Sequence, residues 1–368
     1  VNVLFAGGGT GGHLYPALAI ARAMVAADPR VEPFFVGAAR GIERTVLPET
    51  EFPFELLDLH PLYRSQPWLN WRTAAGSAGS WRRISQIAAA KSPRALVATG
   101  GYAAGVALGF AATRRIPIVI QEQNSVPGLT VRWFAPRAAQ IHLGFPEAGS
   151  LLRRGPRTRV FDSGNPIAPP LPLDRRPSRR EAAALWGFSD DPGPILLVFG
   201  GSQGAEGINR VVARWLESVP TPSPVRIIWA TGPAHFSRYS ALDGDSVRVV
   251  PYISRIAEAY CAADIALARA GAMTTAELSA WGIPAILVPL PTAAADHQSR
   301  NAEAISASGA AVMIRQAELT PALLAATIHR LTTDADALAA MRERTLRRSR
   351  PDAAQDIATN VLGMDCFK

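Results

Sequence analysis

His13 stands directly behind five glycines, Gly7, Gly8, Gly9, Gly11 and Gly12, in the run AGGGTGGHLYPALAIA. An imidazole exchanges a proton near neutral pH, so a histidine at the mouth of a glycine turn is a candidate base facing a ligand. A packed or surface histidine is the alternative, and position by itself does not separate the two. The turn follows a short apolar run, Val1 to Phe5, and leads into an apolar helical pattern through Leu14, Leu18, Ala21 and Met24. Strand, glycine turn and helix aim backbone N–H groups, here those around Thr10, Gly11 and Gly12, at an anion. Gly7, Gly9 and Gly12 also spell the dinucleotide pattern GxGxxG. That pattern needs an acid at the end of the next strand to hold a ribose. Glu32 lies at the wrong end of that strand, which runs into Gly37-Ala-Ala-Arg40, so a nicotinamide or flavin is not expected.

Further polar clusters sit at strand ends. Glu122, with Asn124 close behind, follows the strand Pro117–Gln121 and reads as a base, a hydroxyl acceptor or a solvated loop acid. No second carboxylate accompanies it, which argues against a glycosidase pair. Gly200-Gly-Ser202-Gln203-Gly204 repeats the opening turn and adds a hydroxyl and an amide suited to a diphosphate. Thr274 and Glu277 follow the strand Ile265–Ala268. There Glu277 serves either as an acceptor for two vicinal hydroxyls of a ribose or as an acid favoured by the helix dipole. Gln298 belongs to a polar run, Asp296 to Asn301, that suits a sugar, with Asp296 as a helix cap in the plainer reading. Asp243-Gly-Asp245 matches a metal–nucleotide pattern but reads as a turn.

The elements that must position these groups alternate in both halves. Strands are expected at Arg94–Thr99, Gln140–Leu143 and Arg159–Asp162, then at Pro194–Phe199, Val225–Thr231, Ser246–Val250 and Pro284–Val288. The rhythm predicts an α/β protein of two doubly wound parallel-sheet, Rossmann-like domains facing a cleft. A proline- and arginine-rich connector from Pro166 to Pro177 marks the boundary. Residues 1–165 form the first domain, 166–345 the second, and 346–368 a helix and tail that return to the first. At 368 residues, 48% hydrophobic and 18% charged, the composition is that of a globular α/β protein. No apolar run is long enough to span a bilayer and no signal-peptide pattern opens the sequence, so a cytoplasmic protein is expected. Two cysteines exclude a disulfide framework, and six scattered histidines offer no metal spacing. A net charge of +8 favours anionic partners.

Between His60 and Ile84, Trp68, Trp71 and Trp81 interleave with Arg64, Arg72, Arg82 and Arg83, with no acid among them. Tryptophan beside arginine suits an anionic membrane surface, and a tryptophan-rich core face is the equal alternative. Single-stranded nucleic acid ranks behind both, and no nucleic-acid partner is expected.

Seven motifs in order, GGGTGGHLYPALAIA, ATGGYAAG, QEQNSVPGLTVRW, SGNPI, FGGSQGAEGIN, ARAGAMTTAEL and DHQSRNA, resemble the peptidoglycan N-acetylglucosaminyltransferases. The resemblance runs from Val1 to about Ile314. It implies the GT-B fold and inverting transfer of N-acetylglucosamine from UDP-N-acetylglucosamine to undecaprenyl-pyrophosphoryl-N-acetylmuramoyl-pentapeptide. By resemblance, Ser202 and Gln203 meet the diphosphate, the Ile253 backbone the uracil, and Glu277 the ribose. Met273, Thr274 and Gln298 line the phosphate and sugar region. His13, Glu122 and Asn124 face the acceptor, with His13 as base and Glu122 the fallback. No metal and no cofactor are implied. A lipid-linked acceptor implies a peripheral protein on the cytoplasmic face of the membrane. The sequence departs from the family pattern at Ala168, where many members carry arginine, and at Val106, where proline is usual. Alternatives are another GT-B transferase with a different acceptor, or a UDP-sugar-binding protein without activity.

Overall fold

The computed structural model describes residues 1–60, 70–188, 193–218, 223 and 225–368. The chain divides into two compact units. Unit 1 is Val1–Ala168 with Asp352–Lys368, and unit 2 is Pro169–Pro351. Sequence reasoning placed the first break after residue 165 and the returning tail from 346.

Unit 1 holds strands β1 (Asn2–Gly7), β2 (Glu32–Ala38), β3 (Phe54–Leu57), β4 (Ala95–Gly100), β5 (Ile118–Glu122), β6 (Gln140–Leu143) and β7 (Arg159–Phe161). They form one parallel sheet in the order β3-β2-β1-β4-β5-β6-β7. Its helices are α1 (Gly11–Ala27), α2 (Glu43–Val46), α3 (Asn70–Lys91), α4 (Ala104–Arg114) and α5 (Leu129–Phe134). Apolar runs such as Val3-Leu-Phe-Ala6 are buried on both faces, as a parallel sheet under helices requires.

Unit 2 begins with helix α6 (Arg179–Leu185). Its strands are β8 (Ile195–Phe199), β9 (Arg226–Ala230), β10 (Val247–Val250), β11 (Ile265–Ala268), β12 (Ala285–Leu287) and β13 (Ala311–Met313), parallel in the order β10-β9-β8-β11-β12-β13. Helices α7 (Glu206–Leu216), α8 (Phe236–Tyr239), α9 (Ile256–Ala262), α10 (Ala272–Ala280), α11 (His297–Ala307), α12 (Pro321–Thr333) and α13 (Ala335–Arg347) complete it. The last helix, α14 (Ala353–Leu362), belongs to unit 1. Ile357, Ala358 and Val361 pack into the core beneath α1, and the Gln140 amide donates to the Asn360 carbonyl at 2.8 Å.

Both sheets reverse strand order beside their first strand, between β1 and β4 and between β8 and β11. In doubly wound sheets such a switch point opens the crevice where ligands bind, beyond the carboxyl ends of the strands. His13 follows β1, and Gly200–Gly204 follow β8, so the two glycine turns occupy equivalent places. Strands β3 and β13 were not expected from the sequence. Each is a short strand at the edge of its sheet, with three or four residues and no clear alternation.

Among the described residues no helix is long and apolar enough to cross a membrane.

Candidate active site

The unit 1 switch point is built around Gly100, the last residue of β4, and Gly101, with φ of +90° and +77°. The lack of side chains there makes room for the imidazole: a Cβ on Gly100 would lie 3.2 Å from His13 Cδ2 and 3.8 Å from Gln123 Oε1. His13 is half-buried in the first turn of α1. Its Nδ1 lies 3.0 Å from Thr10 Oγ1, and its carbonyl accepts from the Thr99 hydroxyl at 2.7 Å. Helix start, threonine and glycine turn together fix the ring at the carboxyl end of β1.

Glu122 is not a solvated loop acid. It is 3% exposed, and its carboxylate accepts from the backbone N–H of Asn124 at 2.9 Å and of Gly128 at 2.9 Å. Burial pushes its pKa up, while those amide donors pull it down. The group therefore holds the loop 123–128 that presents Asn124 beside β5. A buried amide network supports the same loop: Gln121 Nε2 donates to Asn165 Oδ1 at 3.0 Å, and Asn165 Nδ2 to the Gln123 carbonyl at 3.0 Å. That explains why the QEQN and SGNPI runs belong to one site although about 40 residues separate them. Val106, a departure from the family pattern, lies in the first turn of α4, where proline or valine both fit. Ala168, the other, is exposed.

Sequence reasoning missed Glu43. Its side chain is fully buried, and Oε1 accepts from Gly9 N at 2.8 Å and Ala38 N at 3.1 Å. A Cβ on Gly8 or Gly41 would run into this carboxyl group. Gly8 of the run 7–12, together with Gly41, thus serves the close approach of an acid to the turn. Oε2 has no hydrogen-bond partner among the described residues.

The unit 2 switch point opens into a pocket of about 560 Å³. Gly200, Gly201, Arg269, Gly271, Thr274 and Gln298 are among its lining residues. Ser202 and Gln203 are exposed in the turn before α7, between Gly201 and Gly204 at φ of +85° and +76°. Gln298 Oε1 accepts from Leu290 N at 2.9 Å, so this side chain also shapes the loop after β12. Glu277 on α10 accepts from the Tyr260 hydroxyl at 2.8 Å. Burial raises the Glu277 pKa, and that hydrogen bond opposes the rise. Met273 is half-buried beside Thr274, and Ile253 is buried after β10. Asp296 precedes α11 in left-handed backbone, and its carboxylate accepts from the Ser299 hydroxyl at 2.5 Å rather than from a backbone amide. Asp243 accepts from Val249 N at 2.8 Å, which makes it a turn residue. Among the described residues no group of three or more His, Cys, Asp or Glu side chains is placed to hold a metal ion.

The segment from His60 to Ile84 falls partly outside the described residues. Arg64 and Trp68 lie outside them, as do the side chains of Trp71 and Arg72. Trp81 is 37% exposed and packs edge-on against Phe110, with ring centroids 5.4 Å apart. Arg82 is exposed, and Arg83 forms an ion pair with Glu55 at 2.8 Å.

Residues 3–143 match the glycosyltransferase family 28 N-terminal domain, and residues 195–357 the family 28 C-terminal domain. Over 99% of its length the chain is 39% identical to the UDP-N-acetylglucosamine–N-acetylmuramyl-(pentapeptide) pyrophosphoryl-undecaprenol N-acetylglucosamine transferase of Salinibacter ruber, covering 96% of that protein. The chain belongs to the N-acetylglucosamine transferases of glycosyltransferase family 28. The family 28 enzyme of the same name from Symbiobacterium thermophilum is 36% identical over 99% of the chain and 96% of its own length. Among solved structures, Acinetobacter baumannii MurG superposes with a TM-score of 0.77 at 26% identity, covering 99% of both chains. The glycosyltransferase of kitacinnamycin, at TM-score 0.70 and 15% identity over 98% of this chain and 97% of its own, shares the fold.

Proposed function

We propose that the chain transfers N-acetylglucosamine from UDP-N-acetylglucosamine to a lipid-linked pyrophosphoryl-N-acetylmuramoyl-pentapeptide, with inversion at the anomeric carbon. The observation that carries this reading is the contrast between the switch points. The first holds an oriented imidazole, and the second holds hydrogen-bond donors around a pocket. In the reaction the acceptor hydroxyl oxygen bonds to the anomeric carbon as the bond from that carbon to the diphosphate breaks. UDP leaves with the bonding electrons, and the hydroxyl proton passes to His13 Nε2. Thr10, beside Nδ1, sets the ring's orientation. Glu122 acts through the loop it holds, keeping Asn124 against the acceptor. On the donor side, Ser202, Gln203 and Thr274 bind phosphate and sugar oxygens with the N-termini of α7 and α10. Glu277 accepts from the ribose hydroxyls, and Ile253 presents backbone groups to the uracil. Met273 and Gln298 close the sugar side.

The acceptor's lipid stays in the bilayer, so unit 1 works as a peripheral domain at the cytoplasmic membrane surface. Trp81 at 37% and Trp133 at 58% exposure, with Arg82, supply the aromatic and basic contacts.

The deciding experiment incubates the protein with UDP-N-acetylglucosamine and the lipid-linked muramoyl-pentapeptide and follows both products. One UDP released per disaccharide formed is the expected result. UDP binding without product would make this a binding protein, and transfer only to another acceptor would assign it a different substrate.

A further inference from the structure

A cavity of about 540 Å³ in unit 1 lies between the edge strand β3 and helix α3, and none of its lining residues belongs to a glycine turn. β3 has β2 on one side and, among the described residues, no strand on the other. The carbonyls of Pro53 and Leu57 accept from Phe35 N and Ala39 N at 2.9 Å each. By strand alternation the backbone N–H and C=O of Leu56 point away from β2, at the open edge, where Leu56 lines the cavity. An open strand edge recognises the amide groups of an extended peptide. The facing wall is the side of α3 that carries Gly76, Gly79 and Ser80. A Cβ on Gly76 would lie 2.2 Å from the Asp58 carbonyl oxygen, so packing requires that glycine. Gly79 has no such neighbour, and its missing side chain serves the cavity alone. Ser80 is 3% exposed, and its hydroxyl has no hydrogen-bond partner among the described residues, which leaves it for a ligand. At the rim, Asp58 Oδ1 lies 3.1 Å from His60 Nε2 and 3.5 Å from Nε of the exposed Arg40. A contact that long leaves most of the Arg40 donors available. Arg40 follows β2 and Asp58 follows β3, so this rim stands at the carboxyl edge of the same sheet, to one side of His13 after β1.

We propose that this cavity is the subsite for the far end of the acceptor's pentapeptide. Three strand spacings, about 14 Å, separate β1 from a position just beyond β3. Five extended peptide residues span up to about 17 Å, so a peptide on the sugar that meets His13 reaches the cavity. Its amide groups meet the open edge at Leu56 and the Ser80 hydroxyl, and its terminal carboxylate meets Arg40. This deepens the function proposed above and rests on it.

The test is steady-state kinetics of the parent and of Gly79→Leu with two short-chain, water-soluble acceptors, one carrying the pentapeptide and one truncated after its first amino acid. Gly79→Leu fills the cavity from a position with no atom within 4 Å of its Cβ, and leucine favours the helix. Without contacts worth about one charge-assisted hydrogen bond, the truncated acceptor should show a roughly 10-fold lower kcat/KM in the parent, carried by KM. In Gly79→Leu the pentapeptide acceptor should fall to the level of the truncated one, with KM for UDP-N-acetylglucosamine unchanged. A parent that uses both acceptors equally overturns the inference, as does a Gly79→Leu protein that keeps the preference. Equal loss on both acceptors would make the effect one of folding and overturns it too. If Gly79→Leu does not fold, Arg40→Ala takes its place and should narrow the same preference by less. A parent that transfers to neither acceptor overturns the proposed function itself.

Discussion

The two glycine turns share a sequence pattern and a place in their sheets, yet the buried side chain nearby is a carboxyl group in one and a guanidinium in the other. Behind Gly7–Gly12 lies the carboxyl group of Glu43, which takes the Gly9 N–H. Lining the same pocket as Gly200–Gly204 is the guanidinium of Arg269, which donates to two carbonyls and an amide oxygen. An acid behind the turn engages a donor that could have met an anion and fixes the loop under an imidazole. A cation in the pocket beside the turn favours an anion there. In the function proposed above, the same strand–turn–helix unit would serve proton transfer in one half and diphosphate binding in the other.

The largest effect expected from breaking this contrast is at His13. His13→Ala should lower kcat by about 10²–10⁴-fold. It should also abolish the acid-side fall of the pH–rate profile that an imidazole base produces. Steady-state rates across pH check both, and near-normal turnover would move the base elsewhere.

Glu43 comes next. Glu43→Ala leaves the half-buried N–H of Gly9 and the buried N–H of Ala38 without this acceptor, at about 1–3 kcal/mol, with a cavity term added. The unfolding midpoint should fall measurably in thermal or denaturant scans. Glu43→Gln keeps an acceptor and should fall less. Equal stability of parent and Glu43→Ala would show that the turn does not depend on this acid.

Glu277 gives an effect of similar or smaller size with a distinct pH signature. Removing its charged hydrogen bond to the ribose should weaken UDP by about 1–3 kcal/mol in Glu277→Ala. Burial raises the folded-state pKa above the unfolded value. Its contribution to stability is therefore present below the unfolded pKa and is lost as pH rises through the folded one. Binding has the opposite demand, because ribose hydroxyls donate to the charged form. UDP affinity should decline as pH falls through the raised pKa, and Glu277→Gln should remove that dependence. The same dependence in parent and variant would assign the titration to another group.

The smallest effect concerns the membrane face of unit 1. Each basic residue near an anionic surface contributes about 1 kcal/mol, screened over roughly 8 Å at physiological salt. Arg82→Glu should reduce binding to phosphatidylserine vesicles, and added salt should reduce the parent's. Arg83, paired with Glu55, should matter less. Cosedimentation of Arg82→Glu equal to the parent's would place the contact on other residues.

Much of the fold was legible because buried parallel strands read as apolar runs, and β6 and β11 fall on the residues expected. The edge strands escaped because their residues, Phe54-Glu-Leu-Leu57 and Ala311-Val-Met313, carry too little period to stand out. The turns at both switch points were legible from their glycines. What lies behind them was not: Glu43 meets Gly9 across 34 residues, and Arg269 meets Gln316 across 47. Pairings at such separations leave no local spacing to read. Glu122 was marked by its place at a strand end, but its commitment to Asn124 and Gly128 is a property of the folded loop.

The most direct test measures turnover and UDP affinity side by side in the parent, His13→Ala and Glu277→Ala. Separate tasks for the two switch points predict that His13→Ala loses turnover at full UDP affinity, whereas Glu277→Ala loses UDP affinity itself. A His13→Ala protein that binds UDP as weakly as Glu277→Ala does, or a Glu277→Ala protein that binds it as tightly as the parent, would contradict that assignment.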